Sequence, residues 1–183
     1  ESHITHRVIG VDVMPTAIKF GGVVTGLLNV DYLAVTSSCT SLEKLFYMCN
    51  KLTNINTFGW DVSNTSTLEY SFAANSISQK LDLTSWNFRK NGVSFAHMFE
   101  GSSSKYILLP TTPIKVTGFF GAFAYNSFTS ITFAEDSELV ALSGENYGSF
   151  GHNGRLCEPV VLPEGVSVIG DAFNDCSMLP EIV

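Results

Sequence analysis

Short apolar runs recur along this chain, separated by polar and glycine-bearing stretches. They stand at Ile55, Leu81-Asp82-Leu83, Ile107-Leu108-Leu109, Ile131-Thr132-Phe133, Val160-Val161-Leu162 and Ile182. Their length and turn-rich surroundings predict one brief strand for most of them. Eight to twelve residues ahead of each run stands a Phe that opens a fixed tetrapeptide: Phe, two variable residues, then Cys, Asn or Ser. The six occurrences are Phe46 with Cys49, Phe72 with Asn75, Phe99 with Ser102, Phe123 with Asn126, Phe150 with Asn153 and Phe173 with Cys176, at intervals of 26, 27, 24, 27 and 23 residues.

Other columns keep step with this anchor. Four residues before it come Leu42, Leu68, Phe95, Phe119, Asn146 and Ile169, and one before it Leu45, Ser71, Met98, Ala122, Ser149 and Ala172. A unit of this length cannot bury its apolar side alone, whereas stacking one unit on the next places the Phe rings in a shared core. The polar fourth position fits the same picture. At a corner, backbone groups face inward without ladder partners, and a short polar side chain can bond them. Cys suits such a site as a small buryable residue with a weak donor.

Residues 166–182, VSVIGDAFNDCSMLPEI, resemble the BspA-type leucine-rich repeats of bacterial surface proteins, whose units run roughly V-x-x-I-G-x-x-A-F-x-x-C-x-x-L-x-x-I. Trp60-Asp61-Val62-Ser63-Asn64 ahead of Phe72, and Trp86-Asn87-Phe88 ahead of Met98-Phe99, resemble a related repeat of bacterial and mycoplasma surface lipoproteins. The likeness covers residues 39–183; the Gly-rich fifth unit, which has Asn146 in place of an apolar residue, departs from it. The expected fold is a leucine-rich-repeat-like solenoid of about six coils of 23–27 residues, mainly β with short helical or 3-10 turns. Residues 1–38, where Phe20 lies 26 residues before Phe46 but lacks the polar fourth member, are expected to form an N-terminal cap or a degenerate first coil. The resemblance implies a place at the cell surface or in secretion, and a role in adhesion to a protein or glycan on a host or neighbouring cell.

Composition narrows the classes. With 183 residues, 45% of them hydrophobic, the chain can bury a core without disulfides or metals. Charge is uneven: residues 1–130 hold nine Lys/Arg against eight acids, whereas residues 131–183 hold Arg155 against nine. That balance disfavours a nucleic-acid partner, which needs clustered cations. No run of 18 apolar residues predicts a membrane span.

The chemistry-bearing residues form no constellation. His3, His6, His97 and His152 lack Cys or acidic partners at metal-ligand spacing, and GxSxG, P-loop and GxGxxG patterns are absent. Neither a cofactor nor a metal is expected. Cys49 and Cys176 share a column but stand five units apart, about 24 Å at about 4.8 Å per strand spacing, too far for a disulfide. All four Cys are expected as reduced, buried thiols. Glu135, Asp136 and Glu138 cluster without a calcium-loop pattern and read as a solvated face.

The aromatics offer the nearest signal of binding. Trp60 and Trp86 each stand fourteen residues after their Phe and are expected to stack in adjacent coils. Two readings follow: a ligand-binding platform for a sugar ring or protein side chain, or framework rings closing the core beneath a loop. Three functions of different kinds are then in play. They are a non-enzymatic adhesion or recognition module, a structural or receptor-binding part of a larger assembly such as a phage tail or fibre, and an enzyme. The apolar terminal unit Pro180-Glu181-Ile182-Val183 adds an expectation of self-association through the last coil.

Overall fold

The structure is a computed structural model that describes residues 29–30, 33–77, 80–89, 92–139, 142, 148–167 and 170–183. The expected N-terminal cap lies outside them except for its last few residues, as do Phe20, His3, His6, Asn146 and Ile169.

Among the described residues there are seven strands, each of two to four residues: β1 (Asn29–Val30), β2 (Asn54–Ile55), β3 (Lys80–Asp82), β4 (Gly92–Ser94), β5 (Tyr106–Leu108), β6 (Lys115–Gly118) and β7 (Glu138–Leu139). All pairing is parallel, in three separate sheets with strand orders β1-β2, β3-β5 and β4-β6-β7. This corrects the expectation of a mainly-β, leucine-rich-repeat-like solenoid with short helical or 3-10 turns. Among the described residues there is no helix of either kind, and no single sheet runs through all the units: each joins strands of only two or three successive ones. The apolar runs at Ile131–Phe133, Val160–Leu162 and Ile182 form only isolated bridges, Thr132 with Val161 and Val160 with Ile182.

The units are joined chiefly by their turns. Backbone N–H groups of Leu42, Lys44, Phe46 and Met48 donate to the carbonyls of Thr67, Glu69, Ser71 and Ala73 at 2.7–3.1 Å. Leu68, Tyr70, Phe72 and Ala74 donate likewise to Ser94, Ala96, Met98 and Glu100, and Phe95, His97, Phe99 and Gly101 to Gly118, Phe120, Ala122 and Ala124. Phe123 and Tyr125 donate to Ser149 and Gly151, and Phe150 and His152 to Ala172 and Asn174. Within this ladder the earlier unit always supplies the donors. Interleaved residues donate instead to the carbonyl three positions back, as Leu45 does to Leu42 and Cys49 to Phe46.

Alternation of this sort needs the backbone to change hand. Positive φ occurs two residues before and two after the anchor, at Lys44 and Met48, Tyr70 and Ala74, His97 and Gly101, Gly121 and Tyr125, and Gly148 and His152. Most of these are not Gly, so each costs on the order of 1–2 kcal/mol, which the turn ladder offsets.

The anchors fill the middle. Successive ring centroids lie 6.0 Å apart for Phe46–Phe72, 5.9 Å for Phe72–Phe99, 5.2 Å for Phe99–Phe123, 5.1 Å for Phe123–Phe150 and 4.7 Å for Phe150–Phe173. The first five rings are fully buried and Phe173 is partly so. The fourth position holds the corner: Asn126 Nδ2 donates to the carbonyl of Phe99, Asn153 Nδ2 to that of Phe123 and Cys176 Sγ to that of Phe150. Asn75 bonds the Phe72 carbonyl, and Ser102 reaches Asn75 Oδ1 at 3.4 Å. Cys49 is buried in the same column.

Candidate functional site

The face that carries β3 and β5 departs from close packing. β3 and β5 pair with Lys80 opposite Tyr106, Leu81 opposite Ile107 and Asp82 opposite Leu108. Leu81 and Ile107 point into the core, so the flanking residues face outward. On β3 these are an ion pair, Lys80 Nζ to Asp82 Oδ2 at 2.8 Å, whereas on β5 they are Tyr106, 52% exposed, and Leu108.

On the other side of β3 stands Phe58, 80% exposed. It heads the turn Thr57–Trp60, closed by a bond from the Trp60 N–H to the Thr57 carbonyl at 3.3 Å, and Gly59 takes the positive φ of 82° that a side chain resists. Asn56 Oδ1 accepts the Phe58 N–H at 3.0 Å and steadies the turn. An ordered turn that holds a phenyl ring in water is unusual for a ring with no packing role.

Two recesses flank the β3–β5 pair. One, of about 450 Å³, lies between Ile55–Phe58 and Lys80–Ser85; the other, of about 330 Å³, lies between Ile107–Thr111 and Ser130–Ala134. Thr84 and Thr111 line both, so the recesses meet at that end of the strand pair. The Thr111 N–H and hydroxyl both donate to the Thr84 carbonyl, at 3.4 and 3.2 Å. Thr84 in turn bonds Asp82 Oδ1 through its N–H at 3.1 Å and its hydroxyl at 2.7 Å. The Lys80 ammonium and these Thr84 donors hold the Asp82 carboxyl below its ordinary range, so it stays ionised across neutral pH.

The β3–β5 pair meets a break on either side. Leu83, opposite Leu109 in the register, donates its N–H to the Leu108 carbonyl at 2.8 Å; Pro110 has no N–H to return to the Leu83 carbonyl, and the pairing with β3 ends there. No backbone hydrogen bond joins Tyr106–Thr111 to Ser130–Ala134. At the first break the Thr57 hydroxyl takes the Asp82 carbonyl in place of a backbone donor.

Trp60 and Trp86 do stack, with centroids 5.5 Å apart and planes 18° from parallel, but inside the protein. Trp60 is 4% exposed and Trp86 fully buried, its Nε1 reaching the Thr57 carbonyl at 3.4 Å. The ligand-platform reading of these two rings is therefore corrected: neither offers a face to solvent. They form the floor beneath the loops from which Phe58 and Thr84 project.

Elsewhere the side chains give little chemistry. Tyr70 stacks on His97 and Tyr125 on His152, both at 4.4 Å, with Nδ1 of each His on a carboxylate: Glu100 at 2.6 Å and Asp175 at 3.0 Å. Cys39 and Cys49 are buried, and burial pushes both thiols up, that of Cys49 to about 11. Cys176 is partly buried and shifted the same way, and Cys157, expected inside, is exposed. Among the described residues no three His, Cys, Asp or Glu are grouped so as to hold a metal ion. Nor, among them, is any helix long and apolar enough to cross a membrane.

Phe58 and Tyr106 did not stand out in the repeat pattern, yet both carry a signal. Phe58 is twelve residues after its anchor, where the next three units have Thr84, Thr111 and Glu135; Tyr106 stands where its neighbour in register has Lys80. An aromatic where the next three units are polar marks a surface position released from packing. Set against family models, curated proteins and solved structures, the chain matches none of them.

Proposed function

We propose that this chain is a non-enzymatic recognition module, at the cell surface or secreted, that binds a protein or glycan on a host or neighbouring cell. The observation that carries the reading is the exposed ring of Phe58, set with Tyr106 and Leu108 around two adjoining recesses on one face. Exposed aromatics beside preformed recesses are what contact surfaces use as anchors. The scaffold beneath is rigid, since stacked Trp60 and Trp86 and the turn ladder fix the loops, and a preorganised surface loses little freedom on binding. The surface location rests on the resemblance of the repeat units to those of bacterial surface proteins.

The test is binding of the purified chain to immobilised matrix proteins, mucin glycans and bacterial cells, with the Phe58→Ser, Tyr106→Ser double variant alongside. Saturable binding by the parent chain, lost in a variant that melts at the same temperature, is the expected result. Binding that survives the double substitution would place the contact on another face, and binding to nothing in a broad array would remove the reading.

A further inference from the structure

We infer that the gap between β5 and Ser130–Ala134 is a strand-pairing site, which takes a short, extended, uncharged segment of a partner polypeptide. This deepens the recognition reading and rests on it.

In a parallel ladder, successive residues turn their N–H and C=O alternately to one neighbour and the other. Leu108 faces β3, for its carbonyl accepts the Leu83 N–H. Ile107 and Leu109 therefore direct their main-chain groups to the opposite side, where no strand meets them. Across the recess, Val160 bonds Glu181 and Val183, so Val161 bridges Thr132 through Ile131 and Phe133, and the Thr132 main chain faces β5 with no backbone bond to it. In water such groups are solvated; facing one another across a space of about 330 Å³, they leave room for a third backbone that satisfies both edges.

The recess also says what chemistry it takes. Its walls are Ile107, Leu109, Pro110, Ile131, Thr132 and Phe133, with hydroxyls at Thr84, Thr111 and Ser130 and no charged side chain. A charged segment would lose its hydration with nothing to replace it, whereas alternating apolar and hydroxyl side chains match the lining. Leu108, which lines the recess, is exposed, as is Tyr106 on the same outer face of β5.

The probe is acetyl-Val-Thr-Val-Thr-Val-amide, compared with the same peptide N-methylated at alternate residues, which removes backbone donors and keeps every side chain. Amide resonances of the isotope-labelled chain are followed as each peptide is added to millimolar concentration, and N-acetyllactosamine serves as a glycan control. Expected are shifts and slowed hydrogen exchange at Ile107, Leu109 and Thr132 with the parent peptide and none with the N-methylated form. Equal shifts from the N-methylated peptide, shifts from the disaccharide alone, or no shift at these amides would each overturn strand pairing. A matrix or cell partner lost on the Phe58 and Tyr106 double substitution, yet not displaced by the parent peptide at millimolar concentration, would leave the recognition face standing while removing this site.

Discussion

Phe150 and Phe173 stack with centroids 4.7 Å apart and planes 6° from parallel, although 23 residues separate them in the chain. The contact closes a column of six rings, and its uniformity has an energetic consequence. Phe99, fully buried, touches Phe72 on one side and Phe123 on the other. Phe99→Ala should destabilise the chain by about 3–5 kcal/mol in denaturant titration, as expected for truncating a buried aromatic. A cost under about 1 kcal/mol would mean that the column is not the core.

Trp60→Ala makes the complementary case. With the ring 4% exposed and stacked on Trp86, the substitution should lower the melting temperature sharply, and any change in ligand binding should follow from that loss. Phe58→Ser, two residues away and at 80% exposure, should leave the melting temperature almost unchanged. If Phe58→Ser proves as costly as Trp60→Ala, the two rings have been assigned the wrong roles.

Gly148 is held by its neighbour as well as by its own backbone. Its φ is +68°, and a Cβ there would lie 2.6 Å from the Asp171 carbonyl oxygen and 2.9 Å from Ala172 Cα. Both contacts are main chain, so Gly148→Ala should push the last two units apart and cost more than about 1 kcal/mol of positive-φ strain alone. Gly101→Ala, with φ +63° and open space around the new methyl, should show the strain cost only.

Alkali should weaken the fold through the thiols. Burial raises the Cys49 thiol from about 9 to about 11, so the unfolded chain releases its proton first. Stability is then full below about pH 9 and falls as pH rises towards 11. Cys39 and Tyr70, raised by burial, act in the same direction. Melting temperatures followed over that range should decline, and Cys49→Ala should flatten the slope. At neutral pH iodoacetamide should label Cys157, which is exposed, and spare Cys39 and Cys49 until the chain unfolds.

The parts of this fold that repeat were legible in the sequence. Phe, Asn and Ser columns at intervals of 23–27 residues marked the ring stack and its corner bonds because each unit must meet the same neighbour. Single residues decided the rest. Lys44, Tyr70 and His97 adopt positive φ where nothing in residue type announces it, and with them the expected 3-10 turns become a ladder between units. The site was misplaced for a related reason. Trp60 and Trp86 drew notice as large aromatics in register, but register is what a core demands; Phe58 and Tyr106, out of step with their columns, are the ones that reach solvent. The division of the sheet was not legible at all: the apolar runs at 107–109 and 131–133 read alike as strands, yet no backbone bond joins them.

The turn ladder has an electrostatic consequence. Because every donor in it sits in the earlier unit and every acceptor in the later one, the peptide dipoles add along the stack, as they do along a helix. Positive potential accumulates towards the later units. Those units hold nine acids against Arg155, and Asp175 lies in the last turn of the ladder. Its carboxylate thus stands where the main chain itself supplies a compensating field.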